Sequence, residues 1–148
     1  MNRLLLFGLI FVTLGCNHTN DNASLLDPLK ALGWSDTDIN FDEHYFIVIP
    51  GQGCPSCIYR AEEFMKSRYW DEKKYTFVFT NFDSEKLLQI KFGQEVLNKS
   101  NVLLDKTDLV YRNGFNGMYP VIVQLKNDQM TKEYGSPDNE EIWKKIAF

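Results

Sequence analysis

The sequence predicts an α/β fold with a central mixed β-sheet flanked by helices on both faces. Short runs of aromatic and β-branched residues alternate with amphipathic segments, an order that favours parallel strands joined by right-handed crossovers. Near the end of the chain, two strand-like runs are separated only by the polar sequence KNDQ, which predicts a β-hairpin. The hairpin adds antiparallel strands, so we expect a mixed sheet.

The predicted domain begins with a short helix or turn and then a strand. In residues 24–34, Asp27 is the expected N-cap and Pro28 the first helical residue, where a missing N–H costs nothing. The run HYFIVIP, residues 44–50, is aromatic and β-branched and ends at a Pro-Gly pair. It predicts a buried strand.

A helix, a second strand and a second helix follow. From Pro55 to Arg68, apolar residues recur at helical spacing, with acids early and bases late, which predicts an amphipathic helix. The sequence YTFVFTNF, residues 75–82, predicts the second buried strand. Residues 84–98 are predicted as a helix capped by Asp83 or Ser84, although the Gly within this segment weakens the helical pattern.

The last part of the chain predicts three more strands and a closing helix. The strands are expected at residues 101–105, 119–125 and 130–135, and the segment after the first of them is expected to be a connection. From residue 137 onwards, Asp138 and Glu141 form a capping-box pattern. This helix is expected to direct three apolar side chains inward: Ile142, Trp143 and Ile146.

The first 15 residues have the layout of a signal peptide. Arg3 precedes an apolar run that is too short to cross a bilayer, which needs about 20 residues. The sequence VTLGC resembles the lipobox of bacterial lipoproteins, in which the Cys becomes lipid-modified. That resemblance implies a lipid anchor at Cys16, a tether over residues 16–24 and a location in the cell envelope, facing the periplasm or the exterior. An ordinary signal peptide that contains a Cys is the alternative.

The remaining residues, 25–148, have the size of one domain and can bury a core without a disulfide framework. The chain has 20 acidic and 16 basic side chains and no basic run, which argues against nucleic acid as a partner. We expect a single domain that is a monomer.

Two cysteines, Cys54 and Cys57, lie in the sequence GQGCPSC between a predicted strand and a predicted helix. At a helix start, free backbone N–H groups and the positive end of the helix dipole stabilise a thiolate. Cys57 is one turn further along and is partly shielded by the helix. The pattern therefore predicts Cys54 as the accessible nucleophile and Cys57 as the thiol that resolves a mixed disulfide.

The CPSC sequence between a strand and a helix, the order of the elements and the sequence GMYP together resemble the thioredoxin superfamily over about residues 40–148. The resemblance implies a thioredoxin-like fold and an extracytoplasmic thiol-disulfide oxidoreductase without metal or organic cofactor. Its partners would be protein thiols and disulfides, held through a transient mixed disulfide. By the same resemblance, Pro120 follows a cis peptide bond and lies against the disulfide, and Tyr119 offers backbone hydrogen bonds to an incoming peptide.

Two positions depart from that family's pattern. Gly53 stands where many thioredoxins have Trp, and Val48 stands where they have a buried acid that accepts the proton of the resolving thiol. Asp105 ends a predicted strand, but the sequence does not distinguish it from an ordinary turn residue. The proton acceptor is therefore left open.

Three other interpretations of the cysteine pair remain. A metal site is one of them, but zinc needs about four ligands, and the histidines are His18 and His44. The peroxiredoxin pattern P-x-x-x-T-x-x-C matches Pro50 and Cys57, with Cys54 in place of the Thr, so a thiol peroxidase is the second. The third is a binding lipoprotein with a structural disulfide.

Overall fold

A five-stranded sheet is the centre of the computed structural model, which describes residues 23–35, 43–127 and 129–148. The strands are β1 (His44–Pro50), β2 (Tyr75–Thr80), β3 (Val102–Asp105), β4 (Val121–Lys126) and β5 (Gln129–Tyr134). Their order across the sheet is β3-β2-β1-β4-β5. Strands β1, β2 and β3 are parallel, whereas β4 is antiparallel to both β1 and β5. The prediction of an α/β fold with a mixed sheet is confirmed.

The helices lie on both faces of this sheet. They are α1 (Ala23–Ala31), α2 (Pro55–Arg68), α3 (Glu85–Phe92), α4 (Gln94–Leu97), α5 (Leu109–Arg112) and α6 (Glu141–Ile146), with a 3₁₀ turn at Pro137–Asn139. One apolar core joins the sheet to α2, α3, α4 and α6. A second core, on the opposite face, joins the sheet to α1 and α5. The predicted signal peptide, the lipid-attachment residue Cys16 and residues 16–22 of the predicted tether lie outside the described residues.

Strand β1 can lie in the middle of the sheet because it directs apolar side chains into the cores on both faces. All seven of its residues are buried. Ile47 and Ile49 point into the core beneath α2, and Phe46 and Val48 into the core on the other face. Successive side chains of a strand point to opposite faces, so a continuous apolar run is what a doubly covered central strand requires.

Two predicted helix starts are wrong. Helix α1 begins at Ala23, so Asp27 is not its N-cap and Pro28 lies inside the helix. Burial of Pro28 and Leu29 compensates for the hydrogen bond that the proline cannot donate. At the C-terminal end no capping box forms, because the 3₁₀ turn places Asp138 within a helical turn rather than at a cap, and α6 itself starts at Glu141. The three apolar side chains predicted to face inward from this helix are buried.

The segment after β2 is divided into two helices. Ser84 caps α3 by accepting a hydrogen bond from the backbone N–H of Lys86, as one of the two predicted caps. Gly93, with φ of 85°, then ends α3, and α4 follows as a separate short helix. A glycine takes this left-handed conformation at little cost, which explains why one predicted helix became two.

The predicted connection between β3 and β4 contains the short helix α5, for which the sequence has no recognisable pattern. Asp105 explains it. Its carboxylate accepts hydrogen bonds from the backbone N–H groups of Leu109 and Val110, both at 2.8 Å. Four residues are too few for a recognisable helical period, so a buried acceptor rather than a pattern fixes this turn.

Candidate functional site

The two cysteines lie at the edge of the sheet where the parallel strands end, because the loop of residues 51–53 leads directly from β1 into α2. The Gly51 N–H donates to the carbonyl of Thr80 at 2.8 Å, which holds this loop against the end of β2. A Cβ atom at Gly51 would lie 2.5 Å from the backbone of Asn81 and Phe82. Only glycine fits this close approach.

The same loop contacts the segment that precedes β4. The Cys54 N–H donates to the carbonyl of Met118 at 2.8 Å. Gly53 has φ of 146°, and a Cβ atom there would overlap the backbone of Met118. The absence of a side chain at this position, where many thioredoxins have Trp, therefore allows two distant parts of the chain to meet at the cysteines.

Cys54 and Cys57 form a disulfide with 5.3 Å between their Cα atoms. Cys54 is the N-cap residue of α2, and Pro55 occupies the first turn, where its missing N–H leaves no gap in the hydrogen bonding. Cys57 is 5 % exposed and belongs to the core, whereas Cys54 is partly exposed. An attacking thiol thus reaches the sulfur of Cys54 more easily, which is the difference on which the predicted roles depend.

The predicted peptide-binding segment lies beside this disulfide. Pro120 is buried, Tyr119 is partly buried and Met118 is 59 % exposed. The described residues contain no cis peptide bond, so the bond before Pro120 is trans, which corrects the cis bond that the thioredoxin resemblance implies. In this conformation the carbonyl of Pro120 accepts from the N–H of Gly135 at 2.9 Å, which ties the segment to the end of β5.

Met118 and Ser56 were not among the predicted site residues. The sequence shows both of them inside the motifs GMYP and CPSC, but it gives no sign of the contacts they make. The hydroxyl of Ser56 lies 3.5 Å from the Sγ of Cys54, and since a disulfide sulfur carries no hydrogen, the hydroxyl is the donor.

A cavity of about 50 Å³ lies next to the motif, between α2 and the turn before α6. Cys57, Arg60 and Glu140 are part of its lining, and the ring of Trp143 also borders it. The Nη1 of Arg60 lies 2.8 Å from the Oε1 of Glu140, and both side chains are about half exposed. Arg60 therefore lies in an ion pair in the cavity that Cys57 also lines.

Buried carboxylates near the sheet have structural partners. Asp105 is 1 % exposed and accepts a hydrogen bond from the Thr80 hydroxyl at 2.7 Å, in addition to the two from α5. The Asp105 carboxylate thus holds the first turn of α5, whose N-cap residue is Asp108. Glu62 on α2 is 5 % exposed and lies 2.5 Å from the ammonium group of Lys91. The sequence pattern marked neither carboxylate as buried.

His44 has a structural role as a buried hydrogen-bonding residue. Its Nδ1 lies 2.9 Å from the carbonyl of Lys73 and its Nε2 lies 2.9 Å from the hydroxyl of Thr76. The carbonyl can only accept, so Nδ1 carries the hydrogen and Nε2 accepts from the hydroxyl. Burial lowers the pKa of His44 below its usual 6.5, because the charged imidazolium loses its hydration. Both ring nitrogens are therefore occupied within the protein.

In the described part of the chain, no group of three or more His, Cys, Asp and Glu side chains is arranged to hold a metal ion. None of the described helices has both the length and the apolar character needed to cross a membrane.

Comparison with protein-family models, with curated proteins and with solved structures yields no match for this chain.

Proposed function

We propose that this chain is a thiol-disulfide oxidoreductase of the thioredoxin-like type, which exchanges disulfides with protein partners. The observation that carries the proposal is the Cys54–Cys57 disulfide at the start of α2, with Cys54 partly exposed and Cys57 buried. The strand order of the sheet and the position of the CPSC sequence between β1 and α2 support the thioredoxin-like assignment. The exported, lipid-anchored state that we propose rests on the sequence around Cys16.

The exchange follows from the difference in access between the two sulfurs. A thiolate of the partner attacks the Sγ of Cys54, the Cys54–Cys57 bond breaks, and its electron pair leaves on the sulfur of Cys57. The partner and Cys54 are then joined in a mixed disulfide. A second partner thiolate attacks the partner's sulfur and releases Cys54 as a thiolate. The protein has then gained two electrons, and the partner has formed a disulfide.

The start of α2 favours the thiolates that this sequence of steps creates. The first N–H groups of a helix have no partner within the helix, and the helix dipole adds positive potential at this end. The Ser56 hydroxyl is within reach of the Cys54 sulfur and can donate to a thiolate there. Cys54 is thus placed where its ionised form is stabilised.

The segment beside the disulfide has free backbone groups for a partner. Among the described residues, no hydrogen bond uses the N–H or the carbonyl of Tyr119. A backbone group without a partner at a partly exposed position is available to an extended peptide. We propose that a partner docks here in extended conformation, with its cysteine next to Cys54, and that the protein acts on it as a monomer.

The decisive experiment is to measure the reduction potential of the cysteine pair in a soluble domain that starts at Ser24. The protein is equilibrated in defined thiol buffers, and alkylated cysteines are counted by mass spectrometry. A potential between about −120 and −270 mV is that of known exchange catalysts and would support the proposal. A pair that stays oxidised well below about −300 mV is a structural disulfide and would exclude the proposed activity.

A trapping experiment separates the two cysteine roles. The Cys57→Ser variant, in its reduced form, should accumulate a mixed disulfide through Cys54 when it meets an oxidised substrate protein, because no second thiol resolves it. The Cys54→Ser variant should accumulate much less. If instead Cys54→Ser consumes hydrogen peroxide rapidly and forms a sulfenic acid on Cys57, the protein is a thiol peroxidase.

A further inference from the structure

The ion pair between Arg60 and Glu140 lies in the cavity that Cys57 also lines. Within the described part of the chain, Arg60 and Glu140 are the only charged side chains in that lining. Arg60 follows Cys57 by three residues on α2, so the two side chains are neighbours on the same side of the helix. Glu140 comes from the turn before α6 and meets Arg60 across the cavity.

The sulfur of Cys57 is the leaving group when the disulfide is reduced. Attack on Cys54 places a negative charge on the sulfur of Cys57, a residue that is 5 % exposed, so that charge has little hydration. A cation nearby stabilises that charge, and an anion nearby opposes it. A thiol that leaves as a better-stabilised thiolate leaves faster.

We propose that Arg60 is a positioning residue that stabilises the departing Cys57 thiolate, and that Glu140 limits this effect by pairing with Arg60. The inference rests on the proposed function, because it concerns the same redox step. Glu140 both holds the guanidinium in place and offsets its charge. The pair thereby sets how readily the disulfide accepts electrons.

The two members of the pair are expected to act in opposite directions. Replacing Glu140 by Gln leaves the guanidinium uncompensated, so reduction should become faster and more favourable. Replacing Arg60 by Gln leaves the carboxylate alone near the sulfur, so reduction should become slower and less favourable. Because both side chains are about half exposed, solvent weakens the interaction, and we expect shifts of roughly three- to tenfold rather than larger ones.

The test uses the variants E140Q, R60Q and R60K, with E141Q and K144Q as matched controls. Glu141 and Lys144 form an ion pair of the same length, 2.8 Å, within α6, but they do not line the cavity. Two quantities are measured for each protein: the rate at which dithiothreitol reduces the disulfide, and the equilibrium constant with glutathione. In the first reaction dithiothreitol gives two electrons and two protons to the two sulfurs and itself becomes a cyclic disulfide.

We expect the disulfide of E140Q to be reduced faster and more favourably than that of the wild type, and the disulfide of R60Q more slowly and less favourably. The reduction rate and equilibrium constant of R60K should be close to those of the wild type, and those of the two controls should be unchanged. High salt should shrink the shifts of E140Q and R60Q, since it screens partly exposed charges. Shifts of both variants in the same direction, or shifts no larger than those of the controls, would overturn the inference. Thermal unfolding of each variant shows whether a same-direction shift comes from a loosened fold.

Failure of the inference can be told apart from failure of the proposed function. If the wild-type disulfide stays oxidised in thiol buffers that reduce known exchange catalysts, the oxidoreductase proposal fails and the inference fails with it. If the wild-type potential lies in the range of exchange catalysts but neither charge variant moves it, only the inference about Arg60 and Glu140 fails.

Discussion

Substitution of Gly53 by Ala is expected to destabilise the domain by about 2–4 kcal/mol. A residue with a side chain at φ of 146° costs about 1–3 kcal/mol. The new Cβ atom would also overlap the backbone of Met118 and break its 2.8 Å hydrogen bond with the Cys54 N–H, which contributes about 0.5–1.5 kcal/mol. At roughly 4 °C for each kcal/mol, the thermal midpoint should fall by about 8–16 °C.

Two other glycines separate the causes in this prediction. Gly114 has φ of 95° but open space around its Cα, so Gly114→Ala tests the backbone conformation without a clash, at about 1 kcal/mol. Gly117 has no positive φ, and a Cβ there would meet nothing closer than 3.8 Å, so Gly117→Ala should change stability by less than about 0.5 kcal/mol. Urea unfolding measures all three. If Gly53→Ala costs no more than Gly114→Ala, the contact with Met118 does not constrain this loop, and the reasoning is refuted.

Three further predictions concern buried polar groups. Burial lowers the pKa of His44 in the folded state below 6.5, so the unfolded state is protonated first as the pH falls. The stability that neutral His44 contributes is therefore fully present above about pH 6.5 and is lost at lower pH. His44→Asn should remove that slope between about pH 6.5 and 5, as measured by urea unfolding at each pH. Asp105→Ala should cost about 2–4 kcal/mol because three donors lose their acceptor, whereas the exposed Asp138→Ala should cost less than about 0.5 kcal/mol in the same assay. Lys91→Met should lower the unfolding free energy more than Glu62→Gln, because it leaves a buried carboxylate unpaired rather than an exposed ammonium.

Each of these predictions has an outcome that contradicts it. An unchanged pH slope in His44→Asn would mean that another group causes the loss of stability. An Asp105→Ala variant as stable as Asp138→Ala would show that water replaces the carboxylate at the start of α5. Equal costs for Lys91→Met and Glu62→Gln would show that the carboxylate is better hydrated than its 5 % exposure indicates.

Elements with strong local patterns were predicted well. The strand at residues 44–50 and the helix from Pro55 to Arg68 have the predicted bounds, because an apolar run ended by Pro-Gly and a helical period with a Pro start are signals within the segment itself. The helices that were only partly predicted differ from the prediction in where they begin or end. There, the break at Gly93 has a local signal in the glycine itself, whereas the burial of Pro28 depends on parts of the chain that local patterns do not include.

The candidate site was predictable only in part for the same reason. The spacing of Cys54 and Cys57 is visible in one short stretch, and so is the Tyr119-Pro120 pair. The contact of Met118 with Cys54 and the pairing of Arg60 with Glu140 join residues that are far apart in the sequence. Neither residue type nor sequence spacing predicts such contacts. An Arg on a helix surface, for example, is more often solvated than paired.

The antiparallel pairing of β4 with β1 has a consequence for biosynthesis. Strand β1 and helix α2 leave the ribosome well before β4, and a contact between distant segments must overcome the entropy of closing a long loop. Met118, whose carbonyl accepts a hydrogen bond from the Cys54 N–H, belongs to the segment that leads into β4. The cysteines therefore exist as a motif early in synthesis but become a complete site only when the last strands dock. A chain that is cut short after β3 would keep the CPSC sequence and lose the segment that we propose as the partner-binding surface.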